Sequence, residues 1–429
     1  MITILMICPL VASSETNKDH EHREHDEHSE GTKHIHGSHL ECPLPLKVED
    51  IISCSLFFHP SSEKQKYQIS VANKKIESEN QIPNPSLTSR YVQGKNNGKN
   101  ISELEANLSF VVELGGKRKS RREQAEANKK LEEVNHNYIK SEIKTQTILN
   151  LYRLRQVLVE KEVISKALGA FKKVIGKLRK LPRLSPEQEA SLSLFEMAYE
   201  ELLVKDSKLF EEERKIEHYF HVSTGHSLKE IRPYLPKLYV KWPEVDSIGQ
   251  KKHSSPVIKK LVAHSQIALK ELELQKSQAW PNLSIGPSFA IEKEGGTEKK
   301  MIGLNVQLPL PFFQVNGGGK SFARSRLTKS KKIIKLMRAE EDHERFEQVR
   351  IYQSSISILE KTMKKQVIEK KNKKIESLYL RGVVSSSVFL NSLKQVFSYL
   401  QSRNDREISA VKALWNIYNI DGTILEEKI

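Results

Sequence analysis

The chain has 429 residues, of which 38% are hydrophobic, 29% are charged and 7% are aromatic, and its formal net charge is +16. This composition favours long, exposed helices over a thick globular core. No apolar run reaches the roughly 18 residues of a transmembrane helix, which argues against a helical membrane protein.

The N-terminal segment has features of a secretory signal peptide. Residues 1–14 contain a short apolar core followed by small residues at Ala12 and Ser13, which predicts the remnant of a signal peptide. A basic region before the apolar core is missing, so either the true start lies upstream or the segment is not a signal. Cys42 and Cys54 would remain after cleavage, and the sequence leaves open whether they pair.

A histidine-rich, disordered tail is predicted over residues 15–45. Its central part, residues 20–39, reads HEHREHDEHSEGTKHIHGSH. Imidazoles two or three positions apart can jointly bind Zn²⁺, Co²⁺, Ni²⁺ or Cu²⁺. The tail therefore either captures metal weakly or only solvates the chain, and no cofactor is required. The predicted weak metal ligands are His20, His22, His25, His28, His34, His36 and His39.

The rest of the chain repeats one plan twice. A first repeat is predicted over residues 46–224 and a second over residues 254–422, with a linker over residues 225–253. Pro60 and Pro85 have the same spacing as Pro256 and Pro281. Each pair encloses a predicted helix that the second proline ends. A β-hairpin and two long helices follow in each repeat.

The two hairpins are predicted over residues 86–114 and 282–312. In GLNVQLPLPFF, at 303–313, apolar and polar side chains alternate as in a strand with one apolar face. SELEANLSFVVEL, at 102–114, has the same pattern. QGKNNGKN at 93–100 and EKEGGTEKK at 292–300 are predicted hairpin loops.

Four such strands fit either a soluble α+β core or a membrane. Strands of roughly 9 to 11 residues cross a bilayer with their apolar side chains toward lipid. Open edges in lipid would leave backbone groups unpaired, so four strands need further copies of the chain to close a barrel. Three chains would supply twelve strands. The predicted lipid-facing residues are Leu104, Leu108, Phe110, Val112, Leu283, Ile285, Leu304, Val306 and Leu308.

Long helices are predicted at 117–180, 185–223, 320–381 and 385–419. A helix of about 60 residues is roughly 90 Å long. Two groups of apolar residues indicate packing seams. Phe195, Leu202, Leu209 and Ile216 recur every seven residues, as in a coiled coil, and Ile356, Leu359, Met363 and Val367 follow a three-four spacing.

Several landmarks resemble the TolC-type outer-membrane efflux duct family. They are NPSL at 84–87, AWPNLSIG at 279–286, GLNVQLPLPFFQVNGGGK at 303–320 and YLRGVVSSSVFLNSLKQ at 379–395. PLPFF looks most like the CzcC-like branch, which serves heavy-metal efflux. The resemblance covers about residues 46–422, but the first hairpin lacks PLPFF. No acidic constriction ring is identified at the helix ends.

The resemblance implies a mainly α fold with a small β part. Each chain would supply long coiled-coil hairpins and four transmembrane strands, and three chains would form a 12-stranded β-barrel and a periplasmic α-barrel. The implied function is an outer-membrane duct of a Gram-negative bacterium that exports heavy-metal cations (Co/Zn/Cd or Cu/Ni) with a periplasmic membrane-fusion adaptor and an inner-membrane RND pump. The residues implied to contact the adaptor are Arg183, Leu184, Ser185, Arg381, Gly382, Val383 and Ser385.

Other functions remain open at this point. The duct would alternatively carry drugs or secreted polypeptides, and a soluble coiled-coil scaffold is a further alternative. An enzyme is disfavoured, because the sequence has no nucleophile elbow, phosphate-binding loop or paired catalytic carboxylates in a recognisable setting. Nucleic-acid binding is also disfavoured, since lysines and arginines are spread along the helices and often lie beside glutamates, as in KKLEEV at 129–134.

Overall fold

A computed structural model describes residues 42–429 except 97, 240, 246–253 and 364. The predicted signal-peptide remnant and residues 15–41 of the predicted tail, with all seven histidine ligands, lie outside the described residues. The end of the predicted tail is not free. Cys42 is buried and forms a disulfide with Cys54.

The first repeat has the predicted order of elements. Prolines begin two of its helices, at the first helical position, where the missing N–H costs nothing. In chain order the elements are α1 (Val48–Phe58), α2 (Pro60–Glu79), β1 (Ser86–Asn96), β2 (Lys99–Glu113), α3 (Lys117–Leu178) and α4 (Pro186–Thr224).

The second repeat follows a short helix in the linker. Unlike in the first repeat, its first long helix is divided in two. In chain order the elements are α5 (Leu228–Ile231), α6 (Pro256–Ser277), β3 (Asn282–Glu294), β4 (Thr297–Gln307), α7 (Gly317–Lys361), α8 (Lys365–Leu380) and α9 (Ser386–Ile420).

The four strands form one antiparallel sheet in the order β1-β2-β3-β4. The predicted loops at 93–100 and 292–300 are too long, because the strands continue through most of their charged residues. In the second hairpin only Gly295 and Gly296 make the turn, both with positive φ. This backbone conformation is the one that two-residue hairpin turns require.

The strand predicted through residue 312 ends earlier. β4 stops at Gln307, so Leu308 lies outside the sheet, and the prediction that it belongs to the strand was wrong. Pro309 and Pro311 explain the early end, because proline has no N–H to donate to a strand ladder.

The helix predicted over 320–381 is interrupted. α7 ends at Lys361, and Thr362 has an extended backbone (φ −86°, ψ 152°). The predicted seam through this region was therefore wrong in its second half. Leu359 is buried, whereas Met363 and Val367 are 44% and 43% exposed. The other seam is confirmed, since Phe195, Leu209 and Ile216 are buried.

The main core lies where α1, α3, α4 and α9 meet. Ile51, Leu151, Phe220 and Trp415 are buried together there. No helix in the part of the chain that the structure describes has a stretch apolar and long enough to span a bilayer.

Buried charges join α3 to α9 beside this core. The carboxylate of Glu160 is fully buried and accepts hydrogen bonds from Arg153 (2.9 Å) and Asn404 (2.6 Å). Glu407 accepts from Arg155 (2.5 Å) and from Gln156. Breaking such a pair would leave a buried charge uncompensated, so these contacts fix how the two helices align.

Candidate functional site: the apolar sheet face and the helix-hairpin ends

The strand register gathers the predicted lipid-facing residues on one face of the sheet. Directly opposite residues of antiparallel strands lie on the same face. Phe110 pairs with Ile285, which pairs with Val306, so these three residues form a row across three strands. Alternation along the strands places the rest on the same face: Leu104, Leu108, Val112, Leu283 and Leu304.

The same face carries further apolar residues that were not among the predicted lipid-facing residues. Leu87 pairs with Leu108, Tyr91 with Leu104, and Phe289 with Ile302. Within one chain this face is open. Ile302 is 86% exposed and Leu87 is 74% exposed. A continuous apolar surface of this kind indicates contact with a partner protein or a membrane.

The opposite face of the sheet is mostly polar. On β2 it carries Glu103, Glu105, Asn107 and Ser109, with Val111 as an apolar exception. The two faces therefore differ as the lipid and lumen sides of a membrane strand do.

The outer strands leave the sheet with two edges. Among the residues that the structure describes, β1 pairs only with β2, and β4 pairs only with β3. Each edge strand presents a row of backbone N–H and C=O groups without strand partners in this chain. Such edges are costly in lipid and would be satisfied by pairing with another copy.

The turn between α3 and α4 holds the first set of predicted adaptor-contacting residues. Ser185 is the N-cap of α4, where its Oγ accepts from Gln188 N (3.3 Å) and its N–H donates to Gln188 Oε1 (2.9 Å). This reciprocal cap, with Pro186 behind it, fixes the start of the returning helix. Arg183 is exposed and Leu184 is half-buried.

The turn between α8 and α9 holds the second set. Gly382 ends α8 with φ +72°, and the N–H of Val383 donates to Leu378 O (2.9 Å). This left-handed cap favours glycine, because other residues adopt its backbone angles at a cost. Arg381, Val383 and Ser385 are exposed, and Ser385 is the N-cap of α9.

An aromatic cluster brings the two turns to the same end of the helices. Phe171 of α3 and Phe195 of α4 pack against Phe389 of α9, with ring centroids 5.6 to 6.5 Å apart. Tyr379 of α8 stacks on Phe389 at 4.7 Å. Since these rings lie just behind the turns, the structure places all predicted adaptor-contacting residues at one end.

A basic groove, which the sequence reasoning missed, lies beside this cluster. It runs between the ends of α3 and α8, over Tyr379, and its acidic residue is Glu376. The lysines are evident in the sequence, but their position along one groove depends on how α3 and α8 pack. The exposed lysines that line the groove are Lys172, Lys173, Lys177 and Lys180.

The sequence matches no protein-family model and no curated protein. Solved structures match over most of its length. The Campylobacter jejuni CmeC outer membrane channel is 12% identical, with a TM-score of 0.65, and the match covers 88% of this chain and 85% of that one. The chain has the TolC-type outer-membrane channel fold.

Other proteins with the TolC-type fold match as well. The Vibrio cholerae outer membrane protein VceC is 15% identical, with a TM-score of 0.63, over 88% of this chain and 96% of that one. CusC, described as forming a transmembrane channel, is 13% identical, with a TM-score of 0.63, over 88% and 92%. These matches confirm the resemblance and the mainly α fold. The CzcC-like branch stays a prediction.

Proposed function

We propose that this chain is the outer-membrane duct of a tripartite efflux system in a Gram-negative bacterium. The observation that carries the proposal is a four-stranded sheet with one exposed apolar face and two edges open to further pairing. The likeness to outer-membrane channels supports the same function.

Closure of the barrel would require a homotrimer. β4 of one copy would pair with β1 of the next, giving twelve strands with apolar side chains toward lipid and polar ones toward the lumen. The long helices would form the periplasmic α-barrel.

The helix-hairpin ends would contact the periplasmic adaptor, which in turn joins the duct to an RND pump in the inner membrane. Support comes from the position of both turns at one end and from the basic groove beside them. The groove's lysines favour an acidic surface on the adaptor.

Heavy-metal cations are the proposed substrate. The likeness of PLPFF to the CzcC-like branch and the histidine tract at 20–39 support this choice over drugs or secreted polypeptides. The duct proposal rests mainly on the sheet, whereas the choice of metals rests on these two sequence features, so the substrate and the duct need separate tests.

Cell fractionation tests the duct. The full-length protein should sediment with outer membranes, need detergent for extraction, and migrate as a trimer that dissociates on heating. A monomer that stays in the soluble periplasmic fraction would contradict the duct and favour a soluble scaffold.

A deletion strain tests the substrate. It should become sensitive to at least one of cobalt, zinc, cadmium, nickel and copper, and the intact gene should restore tolerance. Unchanged tolerance to all five metals, together with increased sensitivity to drugs, would show that the substrates are drugs and not metals. The proposal that the chain is a duct would not be affected.

A further inference from the structure

Two cysteines and one histidine meet at the N-terminal end of the described chain. Cys42 and Cys54 form a disulfide, and a ring nitrogen of His226 lies with both sulfur atoms in a group within 4.8 Å of one another. Cys42 and His226 are only 5% and 6% exposed. Two sulfurs and an imidazole nitrogen are a ligand set for thiophilic metal ions.

The imidazole ring is held between two oxygen partners. Its Nε2 lies 3.2 Å from the carbonyl oxygen of Pro43, and its Nδ1 lies 3.8 Å from a carboxylate oxygen of Glu230. If Nδ1 binds a cation, the N–H at Nε2 has a hydrogen-bond acceptor in Pro43 O, and if Nε2 binds it, Nδ1 faces the Glu230 carboxylate at ion-pair distance. Such an acceptor is how proteins commonly orient a histidine ligand.

Contacts other than the disulfide hold the backbone around Cys54 and His226, and the carbonyl oxygen of Pro43, next to Cys42, contacts the His226 ring. Cys54 lies on α1, between Ile52 and Ser55, which are both buried. Ser55 Oγ lies 3.5 Å from Ser223 Oγ near the end of α4, and His226 N donates to Thr224 Oγ1 (3.2 Å). The ligands would therefore remain close together if the S–S bond were cleaved.

We propose that Cys42, Cys54 and His226 form a redox-gated site for one thiophilic d¹⁰ cation, Cu⁺ or Zn²⁺. While the disulfide is intact, the sulfurs are bonded to each other and the site is closed. Opening requires the distance between the two sulfurs to increase by less than about 2 Å. The sulfurs are then as far apart as two ligands on one ion.

A dithiol opens the site. Its thiolate attacks one cysteine sulfur and displaces the other, and its second thiol then resolves the mixed disulfide. Two electrons pass from the dithiol, which becomes a cyclic disulfide, to the protein, which gains two thiols. The cation then replaces both thiol protons, which are released to water. This inference goes beyond the proposed duct and does not depend on it.

Cadmium titration tests the site. The purified full chain, carrying Cys8→Ser to remove the third cysteine, is reduced with a dithiol, freed of it without oxygen, and titrated with Cd²⁺. The ultraviolet charge-transfer band reports only cadmium bound to thiolates, so cadmium bound to the tail's histidines does not contribute to it. It should saturate at one equivalent in the reduced protein and be absent from the disulfide form. No band in the reduced protein, or an equal band after Cys42→Ser and Cys54→Ser, would overturn the proposal.

Two further measurements make the test specific. The helical circular dichroism should survive reduction, and its loss would overturn the proposal, because the ligands would no longer be held together. His226→Ala should weaken cadmium binding by at least the roughly 10- to 100-fold that loss of an outer-shell partner costs. His218→Ala, an exposed histidine of α4, is the matched control and should bind as the parent does. Equal cadmium affinities of the two variants would show that the His226 imidazole is not a ligand.

Discussion

Gly286 lies where the backbone of β2 passes close to β3. The β2–β3 ladder passes from the Asn107–Ser288 pair to the Phe110–Ile285 pair without pairing Gly286 or Pro287. A Cβ atom at Gly286 would lie 1.7 Å from the carbonyl oxygen of Leu108. Since that oxygen belongs to the backbone, it cannot move aside as a flexible side chain would. The residue thus permits close contact between the two hairpins.

Gly286→Ala should destabilise the sheet. The added methyl group would push β3 away from β2, at a cost of about 1–3 kcal/mol by analogy with overpacked cores. The midpoint of thermal unfolding, followed by circular dichroism, measures the effect. Gly303→Ala on β4 is the matched control, because its nearest neighbour, Ser288 Cβ, would be 3.9 Å away. Equal midpoints for the two variants would contradict the close approach.

Whether the cysteines pair was not predictable from the sequence. Two cysteines twelve positions apart are compatible with a bond or with free thiols, because the outcome depends on where the backbone returns. The structure brings the Cα atoms of Cys42 and Cys54 to 6.0 Å. His226 lies far away in the sequence, and no local pattern relates it to them.

Among the helices, the break between α7 and α8 is held by side chains of α9. Arg403 donates to Leu359 O (3.0 Å) and to Thr362 Oγ1 (2.7 Å), and Tyr399 OH donates to Met363 O (3.0 Å). The arginine also places a positive charge at the carboxyl end of α7, where the helix dipole favours it. The neighbouring helix thus satisfies carbonyl groups that the break would otherwise leave unpaired.

Arg403→Ala should loosen the end of α7. Loss of these charged hydrogen bonds should cost about 1.5–3 kcal/mol of local stability. Hydrogen exchange of the amides in the last turns of α7 should therefore become faster. Arg406→Ala, an exposed arginine on the same helix, is the control. Unchanged exchange in the Arg403 variant would mean that the break does not depend on α9.

An ion-pair cluster links α4 to α9 on the surface. Glu201 accepts from Lys205 (2.8 Å) and lies 3.0 Å from Nζ of Lys394 on α9. The hydrogen bond from Lys205, followed by the one from Lys394, lowers the pKa of Glu201 below its ordinary value of 4.5. The folded state therefore favours the carboxylate. The stability that Glu201 contributes is complete above its ordinary pKa and is lost as pH falls through the lowered value.

Glu201→Gln should lower thermal stability at neutral pH but not at strongly acidic pH. The difference should be at most about 1 kcal/mol, because the side chains are partly exposed to solvent. Unfolding midpoints measured across the acid range would show the parent and the variant converging as pH falls. Glu200→Gln, at an exposed neighbouring position, is the control. A difference that persists at the acid end would contradict the electrostatic origin.

The periodic elements were predictable from the sequence, and the exceptions have tertiary causes. The alternation of β2 and the seven-residue seam of α4 specify local structure directly. Composition alone assigns the charged residues at 93–100 and 292–300 to loops. Because a hairpin turn needs only two residues, the strands continue through most of these charged residues. The break at Thr362 has no proline or glycine to mark it, and it depends on Arg403 and Tyr399, 37 to 41 positions later in the chain.

For the whole molecule, the two faces of the sheet and its edges are the basis of the proposed assembly. One face is exposed and apolar, the other is mostly polar, and both edges are open within one chain. The helices satisfy their own backbone groups, whereas the sheet needs neighbours at its edges. The proposed trimer follows from the sheet more than from the helices. The predicted faces could be read from the sequence, but their alignment across strands required the register.

Leu304→Lys should impair membrane assembly, and Asn305→Lys should not. The two residues are adjacent on β4 and point to opposite faces, so the pair separates a proposed lipid-facing position from a proposed lumen-facing one. A lysine facing lipid costs about 2–4 kcal/mol at the centre of the bilayer and less near its surfaces. The measurement is the fraction of each variant recovered from outer membranes as heat-dissociable trimers. Normal recovery of both would show that the apolar face does not contact lipid, and impairment of Asn305→Lys alone would show that the faces are assigned in reverse.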